Sequence, residues 1–156
     1  MTRTELTLRT AAIALAVISP IICIWSQGLM FSYSQYWSTP MQPLFITANA
    51  ITAYYFFDLE KWKMPAFMLL LLTAFSVESY STLHNVLAVA FFITSLVVLA
   101  KSNHFKWIVY AYLASLGMLW YNMMIAETLA ITVLALYHGL VLYKIKRIQK
   151  QKQIQI

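Results

Sequence analysis

A series of apolar runs, separated by short polar stretches, constrains this chain more than any other feature. A helix that crosses a bilayer needs about 20 predominantly apolar residues, with about 17 at the lower end. We place six spans, several of them short, at about residues 10–25, 43–58, 64–78, 85–100, 105–120 and 122–143. The sequence therefore predicts an all-α, polytopic membrane protein: six transmembrane helices in one compact bundle over residues 1–143, then a basic tail at 144–156.

The longest apolar stretch, residues 105–143, must turn back once. As a single helix its 39 residues would extend roughly 58 Å, about twice the thickness of the hydrocarbon core. Its most polar point is Tyr121-Asn122, which we take as the turn between the fifth and sixth spans.

Composition excludes the soluble classes of protein. Of the 156 residues, 62% are hydrophobic and only 10% are charged, whereas soluble domains carry roughly a quarter charged residues. Three glycines and four prolines exclude collagen-like and low-complexity chains. The single cysteine, Cys23, permits no internal disulfide.

The positive charges test the six-span arrangement independently. With the N-terminus inside, all 11 basic residues fall on the inner side and the three outer loops hold none, as the positive-inside rule requires. These residues are Arg3, Arg9, Lys61, Lys63, Lys101, Lys106, Lys144, Lys146, Arg147, Lys150 and Lys152. We therefore expect both termini to be cytoplasmic. Since topology accounts for the net charge of +6, we expect no nucleic-acid partner.

Seven polar or ionisable residues lie in or beside the predicted spans, where each needs a partner, a wet cavity or a function. Six of them belong to the outer half of the bundle, and His138 lies deeper. We predict Glu127 and His84 as candidate catalytic acid-base groups. The other candidates would bind the ligand: Asn49, Glu78, Asn85, Asn122 and His138.

Each of the ionisable candidates also has a structural interpretation. Glu127 can equally be a carboxyl paired with Asn49, Asn85 or His84, or one kept protonated by burial. For Glu78 and His84 a plain interfacial pair is favoured over an acid-base pair. For His138 a hydrogen bond to a neighbouring helix is favoured over a functional role.

Metal and cofactor chemistry find little support in the sequence. Glu78, His84 and Glu127 are possible zinc ligands by type, but no HxxxH, HExxH or paired-cysteine spacing accompanies them. The chain also has no phosphate loop and no nucleotide fingerprint. We therefore predict no metal site and no cofactor.

Two stretches resemble a known family. They are LHNVLAVAFFITSLVVL (83–99) and WYNMMIAETLAITVLALYHG (120–139). Both are similar to helices of the Frag/DRAM/Sfk family, the eukaryotic GPI-anchor lipid-remodelling factors and related autophagy modulators. The resemblance implies six spans with cytoplasmic termini and lipid handling on the outer leaflet, and it carries over His84, Asn85, Glu127 and His138. This chain is shorter, with the loop 26–42 in place of a long, cysteine-containing first outer loop.

The leading hypothesis is an outward-facing polar pocket that binds a lipid headgroup or takes part in lipid remodelling, and the residues do not decide whether the protein is an enzyme. One alternative is a non-enzymatic assembly or accessory subunit, with another membrane protein or a second copy of the chain as partner. A small transporter or channel is the other, and the apolar inner half argues against it. The expected location is the plasma or inner membrane in a prokaryote and an endomembrane otherwise.

Overall fold

Helices make up all the regular structure that is described. The structure is a computed structural model and describes residues 3–102 and 105–154. Its α-helices are α1 (Arg3–Gln27), α2 (Gln42–Phe57), α3 (Lys63–Ala74), α4 (Ser81–Lys101), α5 (Trp107–Gly117) and α6 (Met123–Ile154). Short 3-10 helices cover Tyr33–Ser38, Glu60–Trp62 and Met118–Trp120.

Three of these helices are long and apolar enough to cross a membrane. They lie at Glu5–Gln27, Ser81–Lys101 and Met123–Ile148, within the described ranges 3–102 and 105–154. A shorter apolar helical stretch covers Trp107–Trp120. The helices α2 and α3 have only 16 and 12 residues. The prediction of an all-helical protein that contains helices able to span a membrane is therefore confirmed for three helices.

The observed helix ends differ from the predicted spans by four residues or more at four places, one of which is the start of α4 at Ser81 and not at residue 85. Helix α1 begins at Arg3 and not near residue 10. Helix α3 ends at Ala74, because Phe75 turns to an extended conformation with φ −104° and ψ 113°. Helix α6 continues through the predicted tail to Ile154, since Lys, Gln and Arg favour helix and neither Gly nor Pro follows Gly139. Residues 155 and 156 of that tail lie outside the described residues.

The six α-helices form a closed ring. Each packs against the next in chain order, and α6 also packs against α1. At one end of the ring, the Arg9 guanidinium lies 5.8 Å from the centre of the Tyr55 ring. At the same end the hydroxyls of Ser102 and Tyr137 are 3.0 Å apart. We call this the basic end.

The opposite end, which we call the loop end, carries the 33–38 segment, the 3-10 helix that follows α1. Gly28 ends α1 with φ +79°, a left-handed conformation that favours glycine. The Tyr36 hydroxyl donates a hydrogen bond of 2.6 Å to the Gly28 carbonyl. Tyr33 and Tyr36 then pack with Cys23, Phe45 and Met124, and we call these five buried residues the Tyr36 cluster. The chain is thereby folded back over the end of the ring.

The outer surface of the ring is apolar as well as its core. Large exposed side chains occur on every α-helix and include Ile21, Tyr54, Phe67, Val89, Leu113 and Leu136. Soluble monomers rarely expose contiguous apolar surface on this scale, and helices that are hydrophobic all round are typical of membranes. The exterior is therefore compatible with contact to lipid.

Candidate functional site

A narrow cleft with a cavity volume of about 60 Å³ lies inside the ring and opens at its surface. Side chains from α1, α2, α3, α4, α6 and the 33–38 segment line it. Four of the seven predicted polar residues are among the lining side chains: Asn49, His84, Glu127 and His138. Most of the others are apolar, with alanines at positions 12, 16, 48, 88 and 135.

Glu127 anchors the 33–38 segment to α6. Its side chain is only 6% exposed, and its Oε2 accepts a 2.6 Å hydrogen bond from the Tyr33 backbone N–H, 94 residues earlier in the chain. The Tyr33 hydroxyl lies 2.8 Å from the Ser19 Oγ on α1. Burial raises the pKa of Tyr33, so its phenol stays protonated. Tyr33 is therefore held between α1 and α6.

A backbone hydrogen bond determines the tautomer of the His84 imidazole. Its Nδ1 lies 2.6 Å from the Phe75 carbonyl oxygen. Because a carbonyl oxygen only accepts, Nδ1 carries the hydrogen, and in the neutral ring Nε2 is an acceptor. The side chain is 1% exposed, and Nε2 is buried with no hydrogen-bond partner among the described residues.

His138 closes the cleft toward the basic end, within a group of aromatic rings. Its Nδ1 lies 3.0 Å from the Tyr55 hydroxyl on α2, which is the interhelical bond expected from the sequence. Ring centres of Phe56 and Trp62 lie 4.8 and 4.5 Å from that of the imidazole. Its Nε2 is also buried and has no hydrogen-bond partner in the part of the chain that the structure describes.

Asn49 lines the cleft but uses its amide locally. The amide nitrogen donates a 2.9 Å hydrogen bond to the Phe45 carbonyl, one turn earlier in α2. The nearby Thr52 hydroxyl likewise donates to the Ala48 carbonyl at 2.8 Å. Bonding to the preceding turn is common for polar side chains inside helices.

The other three predicted site residues lie outside the cleft. Glu78 is exposed in the turn between α3 and α4, and Asn85 is exposed on α4. Asn122 is half-buried, and its Oδ1 accepts a 3.0 Å hydrogen bond from the Ile125 backbone N–H. This is the geometry of a helix N-cap, so Asn122 stabilises the start of α6.

Two pairings that the sequence suggests do not form among the described residues. Glu78 and His84 are not paired, because the Phe75 carbonyl takes His84 Nδ1 and Nε2 has no partner. For Glu127, a pair with Asn49, Asn85 or His84 is one of the interpretations that the sequence leaves open, and the structure does not show it. The observed hydrogen-bond donor to Glu127 is instead the Tyr33 backbone, while the Asn49 amide bonds to its own helix and Asn85 points outward.

Sequence reasoning missed the contributions of Ser19, Tyr33 and Tyr55. A backbone N–H carries no side-chain signal, so nothing marked Tyr33 as the donor to Glu127. The one available hint was the aromatic content of the loop 26–42, which is unusual for a solvated connection. Tyr55 stands among other aromatic residues and has no distinguishing pattern.

The cleft follows α6 over roughly half the thickness of a bilayer. Glu127 and His138 both line it and stand eleven residues apart, roughly 16 Å along the helix. The hydrocarbon core is about 30 Å thick, so one leaflet contributes about 15 Å. Between the two residues the walls are apolar and include Ile131, Leu134 and Ala135. The cleft thus has a polar group near each end and an apolar middle.

The described lining of the cleft includes an acidic side chain and no strongly basic one. Glu127 lines it, and no Lys or Arg is among the lining residues found within 3–102 and 105–154. In the same part of the chain, no three His, Cys, Asp or Glu side chains come close enough together to hold a metal ion. The polar groups available to a ligand are therefore hydrogen-bonding groups and one carboxyl.

Comparison with known proteins adds no relative to these observations. No protein-family model matches the chain, no curated protein is detectably similar to it, and no solved structure resembles it. The resemblance of 83–99 and 120–139 to the lipid-remodelling family therefore stays a prediction.

Proposed function

We propose that this protein is a six-span membrane protein that binds a lipid in the cleft, with the headgroup at the loop end and an acyl chain in the apolar middle. In this proposal both termini are cytoplasmic and the loop end faces outward. The observation that carries the proposal is the combination of an apolar exterior with an internal cleft that has polar groups near its ends and apolar walls between them.

The arrangement of helices and charges supports this topology. Arg9 lies at the basic end beside Tyr55 at the end of α2, and Lys61 and Lys101 adjoin the same end in the chain. Because α2 and α3 are only about 24 and 18 Å long, local thinning of the bilayer would accommodate them.

Reporter fusions after Lys144 and within the turn 75–80 test this topology. Cytoplasmic activity is expected for the first fusion only.

Binding is favoured over chemical remodelling by the state of the hydroxyls. The two serines that line the cleft are already bonded: Ser19 to Tyr33, and Ser34 to Ser32 at 3.0 Å. Neither is within hydrogen-bond reach of His84 Nε2, which has no partner in the described ranges 3–102 and 105–154. An activated nucleophile needs such a contact with its base, so the geometry favours a site that holds a lipid.

Two neighbouring substitutions on α4 test the proposal. Ala88 lines the cleft and is 8% exposed, whereas Val89 is 57% exposed on the outer surface. Ala88→Phe fills the cleft and should abolish lipid retained through detergent purification, measured by native mass spectrometry. Val89→Phe adds an aromatic ring outside and should retain the lipid of the wild-type protein.

Folding is checked by circular dichroism and by a monodisperse profile on gel filtration. If Ala88→Phe does not fold, the smaller Ala88→Leu takes its place, with Val89→Leu as its control. A folded Ala88 variant that keeps the full complement of bound lipid contradicts the proposal.

The accessory-subunit alternative draws on the exposed candidates. Glu78 and Asn85 lie outside the cleft, where polar side chains are free to contact another membrane protein. This function requires a stoichiometric partner that co-purifies from native membranes and is lost from a Glu78→Ala, Asn85→Ala double variant. If the partner still co-purifies with the double variant, Glu78 and Asn85 do not support the accessory-subunit function.

A further inference from the structure

Most polar side chains in the cleft have hydrogen bonds already, which identifies the groups left for a ligand. Ser19 pairs with Tyr33, and the Asn49 amide and Thr52 hydroxyl bond to backbone carbonyls of α2. Within the described part of the chain, two buried atoms of lining residues have no partner: His84 Nε2 near the loop end and His138 Nε2 near the basic end. Buried polar groups are ordinarily hydrogen-bonded, so these atoms mark unmet capacity.

The unpaired His84 Nε2 is a hydrogen-bond acceptor when the imidazole is neutral. The Phe75 carbonyl requires a hydrogen on Nδ1, so in the neutral form of the ring Nε2 offers a lone pair and no proton. A ligand that satisfies it must donate. His138 is different, because a phenol such as that of Tyr55 can donate or accept, and the 3.0 Å bond leaves the tautomer open.

The charged side chains that line the cleft determine which kind of hydrogen-bond donor a ligand can present to His84. The carboxyl of Glu127 lies in the cleft, and the described lining residues include no Lys or Arg to neutralise an anion. A phosphate in such a site would be desolvated without a cation, beside an acidic group. A hydroxyl donates to Nε2 and has no charge to bury.

We propose that the lipid bound here has an uncharged headgroup that donates a hydroxyl to His84 Nε2, with its acyl chain lying along Ala88 toward His138. This inference rests on the proposed lipid-binding function and specifies its ligand class. It excludes phospholipids with the phosphate placed beside His84.

Three probes that share one oleoyl chain test the headgroup directly. Monooleoylglycerol has hydroxyl donors, methyl oleate has no donor, and oleoyl lysophosphatidic acid replaces one hydroxyl by a phosphate. Binding to the detergent-purified protein is measured by competition against a fluorescent fatty-acyl probe. Monooleoylglycerol should bind roughly two- to tenfold more tightly than methyl oleate, the range for one hydrogen bond. Lysophosphatidic acid should bind most weakly.

The His84→Phe variant links this preference to the residue. It keeps a flat ring but removes the acceptor, so monooleoylglycerol should lose its advantage over methyl oleate while both still bind. Should His84→Phe fail to fold, His84→Gln serves instead. Asn85→Ala, the exposed neighbour on α4, is the matched control and should keep the wild-type order of affinities.

The possible outcomes distinguish the lipid-binding function from the identity of the headgroup. If no oleoyl probe binds, the lipid-binding function itself is wrong. If all three bind equally, or lysophosphatidic acid binds most tightly, lipid binding stands and the hydroxyl headgroup is refuted. Discrimination that persists in the folded His84 variant also overturns the role of Nε2.

Discussion

Replacing Glu127 with alanine should release the 33–38 segment from the end of the ring. The carboxyl accepts the buried Tyr33 N–H at 2.6 Å, and alanine leaves that donor without a partner. The same segment covers Cys23, which is fully buried in the Tyr36 cluster and is the only cysteine of the chain. The reactivity of this natural thiol therefore reports how often the segment opens.

The expected size of the effect comes from the lost hydrogen bond. A buried backbone donor left unsatisfied costs about 1–3 kcal/mol. If this cost falls on the closed state alone, the opening equilibrium rises roughly five- to hundredfold, at about 1.4 kcal/mol per factor of ten. Glu127→Gln keeps a side-chain oxygen at the same place, so its opening should change by much less.

The assay is the rate of maleimide labelling of Cys23 in detergent, with reaction of the denatured protein as the reference rate. When closing is faster than labelling, the observed rate follows the local opening equilibrium. Asn85→Ala, on the exposed face of α4, controls for general loosening. Wild-type labelling rates in a folded Glu127→Ala protein would refute the anchoring role of Glu127.

Three further outcomes are expected. Asn122→Ala removes the N-cap of α6 and should lower stability by about 1 kcal/mol, measured as thermal melting against Asn122→Asp, which keeps an acceptor. Tyr55→Phe removes the hydroxyl beside His138 Nδ1 and should cost about 1–3 kcal/mol, whereas Tyr54→Phe, 59% exposed, should cost nothing measurable. Proteoliposomes should show no proton flux that differs between wild type and His138→Gln, and a His138-dependent flux would support a transporter.

The order of the helices was predictable because polar and basic residues interrupt the apolar runs at regular points. The ends were less so. Helix α6 passes into Lys144 and beyond without a break, because helix propensity does not change where hydropathy does. At the end of α3, Phe75 leaves the helix although it is as apolar as the residues before it. Hydropathy marks membrane depth, whereas backbone geometry decides where a helix ends.

The site was predictable to the extent that side-chain chemistry alone determines it. Burial of Glu127, His84 and His138 follows from the cost of polar groups in an apolar chain. Their partners do not, because all three bonds go to backbone or to an aromatic hydroxyl: the Tyr33 N–H, the Phe75 carbonyl and the Tyr55 hydroxyl. The sequence did hold a signal for Asn122, an asparagine directly before a helical run, which is typical of an N-cap and not of a ligand contact.

The Glu127→Gln variant separates two roles that Glu127→Ala removes together. Glutamine retains the oxygen that accepts the Tyr33 N–H, so labelling of Cys23 should stay near its wild-type rate. It also replaces a carboxyl by a neutral amide, which removes the acidic group from the cleft. If charge excludes anionic headgroups, lysophosphatidic acid should gain affinity in Glu127→Gln relative to monooleoylglycerol, while Cys23 stays protected. An unchanged order of affinities with Cys23 still protected would mean that Glu127 serves as an anchor and that its charge does not select the ligand.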